Sequence, residues 1–127
     1  MEWKPIERMK GSAEPRRHPR DALLLEVTVR LSRTPPPEWQ DRFNYPSGHS
    51  PLGEGAPKLD GGTVSIAVEQ GNEKAGIAVI DERIARANRE YERDVLPEIR
   101  RQEEQAKSRA EDEKRRLEDA RKRLKDE

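Results

Sequence analysis

The sequence predicts an α+β protein, a small β-α-β-α layer followed by a long charged C-terminal helix. Three observations predict it. Two runs, one in the twenties and one in the sixties, alternate apolar and polar residues with the period of a strand. The segment after the second run repeats its apolar residues every three or four positions, as a helix does. The last thirty residues are dominated by charge and hold no helix breaker.

Residues 1–20 form a polar basic arm, with Lys4, Arg8, Lys10, Arg16, Arg17 and Arg20 interrupted by Pro5, Gly11, Pro15 and Pro19, and read as an irregular lead-in to a domain over 21–96. That domain opens with Ala22–Leu31, where Leu23, Leu25, Val27, Val29 and Leu31 alternate with Leu24, Glu26, Thr28 and Arg30; this is a strand with one buried face. Thr34 followed by Pro35, Pro36, Pro37 and Glu38 is a helix start, because a threonine can cap and a proline in the first turn gives up no intrahelical hydrogen bond. Trp39 and Phe43, four apart, share a face of this short helix near 36–44, and with Tyr45 they read as core rather than as a ligand-facing cluster.

Residues 45–62 are rich in Gly, Pro and Ser without a period and predict a loop, with room for a third strand around Pro57–Leu59; a ferredoxin-like half within one chain is then the alternative arrangement. Thr63–Glu69 alternates Val64, Ile66 and Val68 against polar residues and is the second strand. From Asn72, a candidate N-cap, the stripe Ile77, Ile80, Ile84, Ala87, Tyr91 and Val95 predicts a helix packed on the sheet. Pro97 removes a backbone donor and crowds the preceding turn, so the helix is expected to kink or break near Leu96. Beyond it, residues 97–127 are a charged helical tail with acid-to-base pairs four apart, such as Glu103–Lys107, Glu111–Arg115 and Glu118–Lys122.

Composition narrows the function classes. The 26 basic and 26 acidic residues cancel, so no global field draws in nucleic acid. Only 22 of 127 residues are Ile, Leu, Val or Phe, below the roughly one-fifth that separates globular from solvated chains, so part of the molecule stands in water. No apolar run approaches a bilayer span, and residues 1–20 lack the apolar stretch of a secretory signal; a cytoplasmic protein with no membrane association is expected. The absence of cysteine removes disulfides, thiolate nucleophiles and zinc ribbons. Arginine outnumbers lysine 18 to 8, which suggests a bacterial source with a GC-rich genome.

No catalytic motif emerges, and no cofactor or metal is expected. His18 and His49 lack a metal-ligand spacing. Ser47, His49 and Asp60 share a loop without a nucleophile elbow, and Gly53-Glu54-Gly55 precedes a strand instead of a helix. Two constellations remain. In the tail, Ile99, Ala106, Ala110, Leu117, Ala120 and Leu124 fit alternating spacings of four and three, with Glu103 and Glu113 at positions a coiled-coil seam wants apolar, so the tail is a coiled coil or a solvated helix. Ile99, Ala106, Ala110, Leu117 and Leu124 are the candidate partner-helix contacts. In the arm, Arg16, Arg17 and Arg20 are candidate phosphate contacts, against the simpler reading of a solvated terminus.

The expectation is therefore a non-catalytic interaction or assembly protein, using the α+β domain and the helix for association with itself or a protein partner. Since two strands are too few to stand alone, a homodimer that extends the sheet is expected. The alternative is a nucleic-acid-associated protein using the arm and the tail arginines.

Overall fold

A computed structural model describes residues 3–45, 56–125 and 127. The chain divides into two compact units, Met1–Glu92 and Arg93–Glu127. The first is an α+β domain with a four-stranded, wholly antiparallel sheet in the order β1-β2-β4-β3: β1 Glu14–Arg17, β2 Leu24–Arg30, β3 Lys58–Asp60 and β4 Thr63–Glu69. Helix α1, Pro37–Asn44, lies between β2 and β3, and α2, Glu73–Glu90, follows β4. The third strand expected around 57–59 is present as β3, turned onto β4 by Gly61, whose φ of +60° suits a glycine. Among the described residues, no helix is long and apolar enough to cross a membrane.

Period two dictates the core. In register, Leu25 opposes Val68, Val27 opposes Ile66 and Val29 opposes Val64, so one face of the central pair is continuously apolar. Val27, Val29, Val64 and Ile66 are buried there, and α2 brings Ile80, Ile84 and Ala87 of the predicted stripe into the same core, with Tyr91 of the stripe buried just beyond the helix. The helix approaches closely at Gly76, where a Cβ would sit 2.6 Å from Val68 Cγ1. Trp39 and Phe43 stack at 5.5 Å between centroids and are buried, while Tyr45 is exposed and does not join the core. Each large side chain so buried contributes roughly 1.5–3 kcal/mol. The other sheet face is mostly polar, from Glu26 and Arg30 to the Thr28 and Ser65 hydroxyls, which are hydrogen-bonded at 3.3 Å.

The arm is not an irregular lead-in. It lies along α2 and then pairs with β2. Ile6 is 1% exposed, and its backbone is gripped by Asn88 of α2: the Ile6 N–H donates to Asn88 Oδ1 at 3.0 Å, and Asn88 Nδ2 donates to the Ile6 carbonyl at 2.9 Å. The same Oδ1 accepts the Trp39 indole N–H at 2.9 Å. Arg8 makes a two-point ion pair with Asp81, at 2.7 and 3.1 Å, which raises the guanidinium pKa. Trp3 lies 4.4 Å from the Tyr91 ring, donates to Glu92 at 2.9 Å, and has the Arg33 guanidinium over its face.

Arg8 also bridges to Leu31, and the Met9 N–H reaches the Arg30 carbonyl, so the arm pairs with β2 twice. Between the two pairings the chain bulges through Gly11, with φ of +76°, and the Ser12 hydroxyl accepts the Arg30 N–H that the interrupted ladder leaves open. The short edge strands carry or follow proline, at Pro15 in β1 and Pro57 before β3, which discourages further pairing.

Several local expectations change. Leu23 precedes β2 and is 84% exposed. Helix α1 starts at Pro37 with Pro36 at its N-cap, so Thr34 does not cap it. Asn72 is the N-cap residue of α2 but its side chain caps nothing. Instead the Glu73 carboxylate accepts the Gly71 N–H at 3.0 Å, and that bond, with one from its own N–H, holds it below the usual carboxylate range. Of the kink or break expected at Pro97, the break does not occur: the disturbance takes the form of a π turn, Tyr91–Val95, that leads into α3, Leu96–Lys125. The proline ring crowds the carbonyl four residues earlier, that of Arg93, and this residue lies within the π turn, where the wider winding accommodates it.

Asn88→Ala leaves the Ile6 N–H and carbonyl and the Trp39 indole without partners, and is expected to cost about 2–4 kcal/mol, read from the urea unfolding midpoint. A loss below about 0.5 kcal/mol would contradict its role as the junction of arm, α1 and α2.

Candidate interaction surface

The arm's candidate phosphate contacts do not converge. Arg16 opposes Glu26 across β1 and β2 and donates to its Oε1 at 2.5 and 3.1 Å. Arg17 opposes Leu25, so it points to the other sheet face. His18 is occupied in the β1–β2 turn, where Nδ1 accepts the Arg20 and Asp21 N–H groups at 3.2 and 3.0 Å. Arg17 and Arg20 are exposed. Ser47, His49, Gly53 and Gly55 lie outside the described residues, and Asp60 ends β3.

Helix α3 is different in kind. It spans 30 residues and buries none. Leu117 is 54% and Leu124 69% exposed; Ala106 and Ala110 are exposed, and Ile99 and Ala120 are half-exposed. All of the candidate partner-helix contacts therefore remain on an uncovered helix.

Helical spacing places them on one stripe. Taking Leu96 as position a of a heptad, Glu103, Ala110, Leu117 and Leu124 follow at a, while Ile99, Ala106, Glu113 and Ala120 occupy d. The positions beside the seam, which counts of total charge conceal, are nearly uniform in sign. Position e holds Arg100, Lys107, Lys114 and Arg121. Position g holds Gln102, Arg109, Arg116 and Arg123. Acids cluster instead at b and c, as Glu104, Glu111 and Glu118 and as Glu98, Asp112 and Asp119.

The ion pairs within α3 serve the far side. Glu98 pairs with Arg101 at 2.6 Å, and Asp112 approaches Arg115 at 3.9 Å. These contacts are three residues apart rather than the four expected, and both cations occupy position f. Among the described residues, the seam's flanking cations have no carboxylate partner. The surface is thus an apolar strip of Leu, Ile and Ala, interrupted by Glu103 and Glu113 and bordered on both sides by rows of cations.

The fold and this surface define a small α+β domain bearing a solvent-facing, heptad-patterned helix. Comparison with known proteins finds no match: no family model fits the chain, and neither a curated protein nor a solved structure resembles it. Among the described residues, no group of three His, Asp or Glu side chains is placed to hold a metal ion.

Because the seam buries nothing, Leu117→Ala is expected to change domain stability by less than about 0.5 kcal/mol, whereas Ile80→Ala in the core should cost about 2–5 kcal/mol. Thermal unfolding of the two variants checks this, and comparable losses would place the seam in the core.

Proposed function

We propose that the protein is a non-catalytic interaction or assembly protein whose globular domain carries α3 as its contact surface. The observation that supports this most is a 30-residue helix with a heptad-spaced apolar strip, interrupted at Glu103 and Glu113, and no buried side chain. An apolar stripe on one face of a helix is the part of it that gains from being covered. Both a protein partner and a second copy are occupants consistent with that seam. A homodimer built by extending the sheet loses its original motive, since the chain supplies four strands of its own and proline marks both edges. The cytoplasm of a bacterium is the proposed setting, on the absence of cysteine and the excess of arginine.

The alternative, a nucleic-acid-associated protein, draws on Arg17, Arg20 and the tail arginines. It is weakened by the Arg16–Glu26 pair and by the acids interleaved among the tail cations.

The test is site-specific photo-crosslinking in the cells that make the protein. A benzophenone side chain replacing Leu117 on the seam should yield a discrete protein adduct, with itself or a partner, and the same group replacing Arg115 on the far side should not. No adduct from Leu117, or equal labelling from both positions, would overturn the proposal.

A further inference from the structure

We infer that the occupant of the α3 seam is an amphipathic helix of another protein whose own flanking positions are acidic, and not a second copy of this chain. The inference rests on the interaction role proposed above and names the partner's chemistry.

The sign of the flanks carries it. Residues at e and g face each other across a coiled coil and set partner choice and orientation. In a parallel self-pair each g residue meets the e residue of the following heptad in the other copy, which places Arg109 against Lys114 and Arg116 against Arg121, twice over by symmetry. In an antiparallel self-pair e meets e and g meets g, and those rows are basic as well. No orientation of two α3 helices brings opposite charges together beside the seam. Like charges there oppose association, and the thin seam has little apolar area to offset them.

A helix with Glu or Asp at e and g complements both flanking cation rows, with Glu103 and Glu113 left as polar interruptions of the seam. Its carboxylates meet cations that have no carboxylate partner among the described residues, and its larger apolar residues fit above Ala106 and Ala110, which let backbones approach. A membrane surface fits less well, because Glu103 and Glu113 lie in the strip that would enter the acyl layer, where an ionised carboxylate is costly. A nucleic acid fits less well because the two cation rows are separated by the apolar strip itself, and phosphates gain nothing from Leu117 or Leu124.

The test uses the full chain and synthetic four-heptad peptides with leucine at a and d, one with glutamate at e and g and one with lysine there, read by fluorescence anisotropy at low and at physiological salt. The full chain is expected to bind the glutamate peptide at least about tenfold more tightly than the lysine peptide, with the preference shrinking as salt rises. The quadruple variant Lys107→Glu, Arg109→Glu, Lys114→Glu, Arg116→Glu should invert that preference; circular dichroism checks that it remains helical. Three results would overturn the inference: equal binding of the two peptides, a full-chain dimer by light scattering that the glutamate peptide does not dissociate, or tighter binding to phosphatidylglycerol vesicles or duplex DNA than to the glutamate peptide. The dimer result would leave the broader interaction role standing, whereas failure of the Leu117 crosslink would remove both.

Discussion

A single carboxamide holds the domain's parts in register. Asn88 sits on α2 beside the core and satisfies the backbone of Ile6 on both its donor and its acceptor, while also accepting the Trp39 indole. Three segments distant in sequence therefore meet at one side chain. Buried backbone groups must find partners, and an arm so rich in charge has few apolar residues with which to anchor itself. Once Ile6 is seated, Arg8 reaches Asp81, Met9 and Ser12 close onto Arg30, and β1 is delivered to the edge of β2. The fourth strand of the sheet, β1, is a consequence of that docking, and so is the stacking of Trp3 on Tyr91.

The second constraint is scarcity. With so few large apolar residues in the chain, the core draws on nearly all that it can reach, from Ile6 to Tyr91. Past the π turn the helix has only a narrow strip left, and its 30 residues stay helical without burying any of them. The sequence invests there in charge placement: acids at b and c, cations at f beside them, and two further cation rows along the seam. Stabilising an exposed helix needs only acids and bases three or four apart. Some seam-side cations also stand four from an acid, as Lys107 does from Glu103 and Arg116 from Asp112, but helix stability does not need both rows next to the apolar strip to carry the same sign, and it is that uniform sign on which the proposed acidic partner rests.

Much of this was legible from periodicity. Strands β2 and β4, the short helix of Trp39 and Phe43, and the stripe through Ile80, Ile84, Ala87 and Tyr91 all follow from spacing, because each buries one face against the others. The arm was not legible. Ile6 is a lone apolar residue between charges, and Glu14-Pro15-Arg16-Arg17 has no alternation, so its strand is dictated by β2, Asn88 and Asp81 instead of by its own composition. Tyr45 and Leu23 kept the right residue type but fell just outside the elements that bury their neighbours. At Pro97 the local rule gave the position of the disturbance and left its form open between kink and break, and the π turn excludes the break because it preserves the helix. The cation rows were present in the sequence and hidden by a net charge of zero; only the heptad assignment separates them.

The central claim is that the chain's stability ends with its domain and that α3 stands uncovered, as the proposed interaction role requires. Amide hydrogen exchange on the free full-length protein tests this most directly. The amides of Ile80, Ile84 and Ala87 should exchange only with global unfolding, and those from Ala106 to Leu124 should exchange at least about a hundred times faster. Equal protection along both helices would contradict the account, because it would mean that α3 is already covered in the protein on its own.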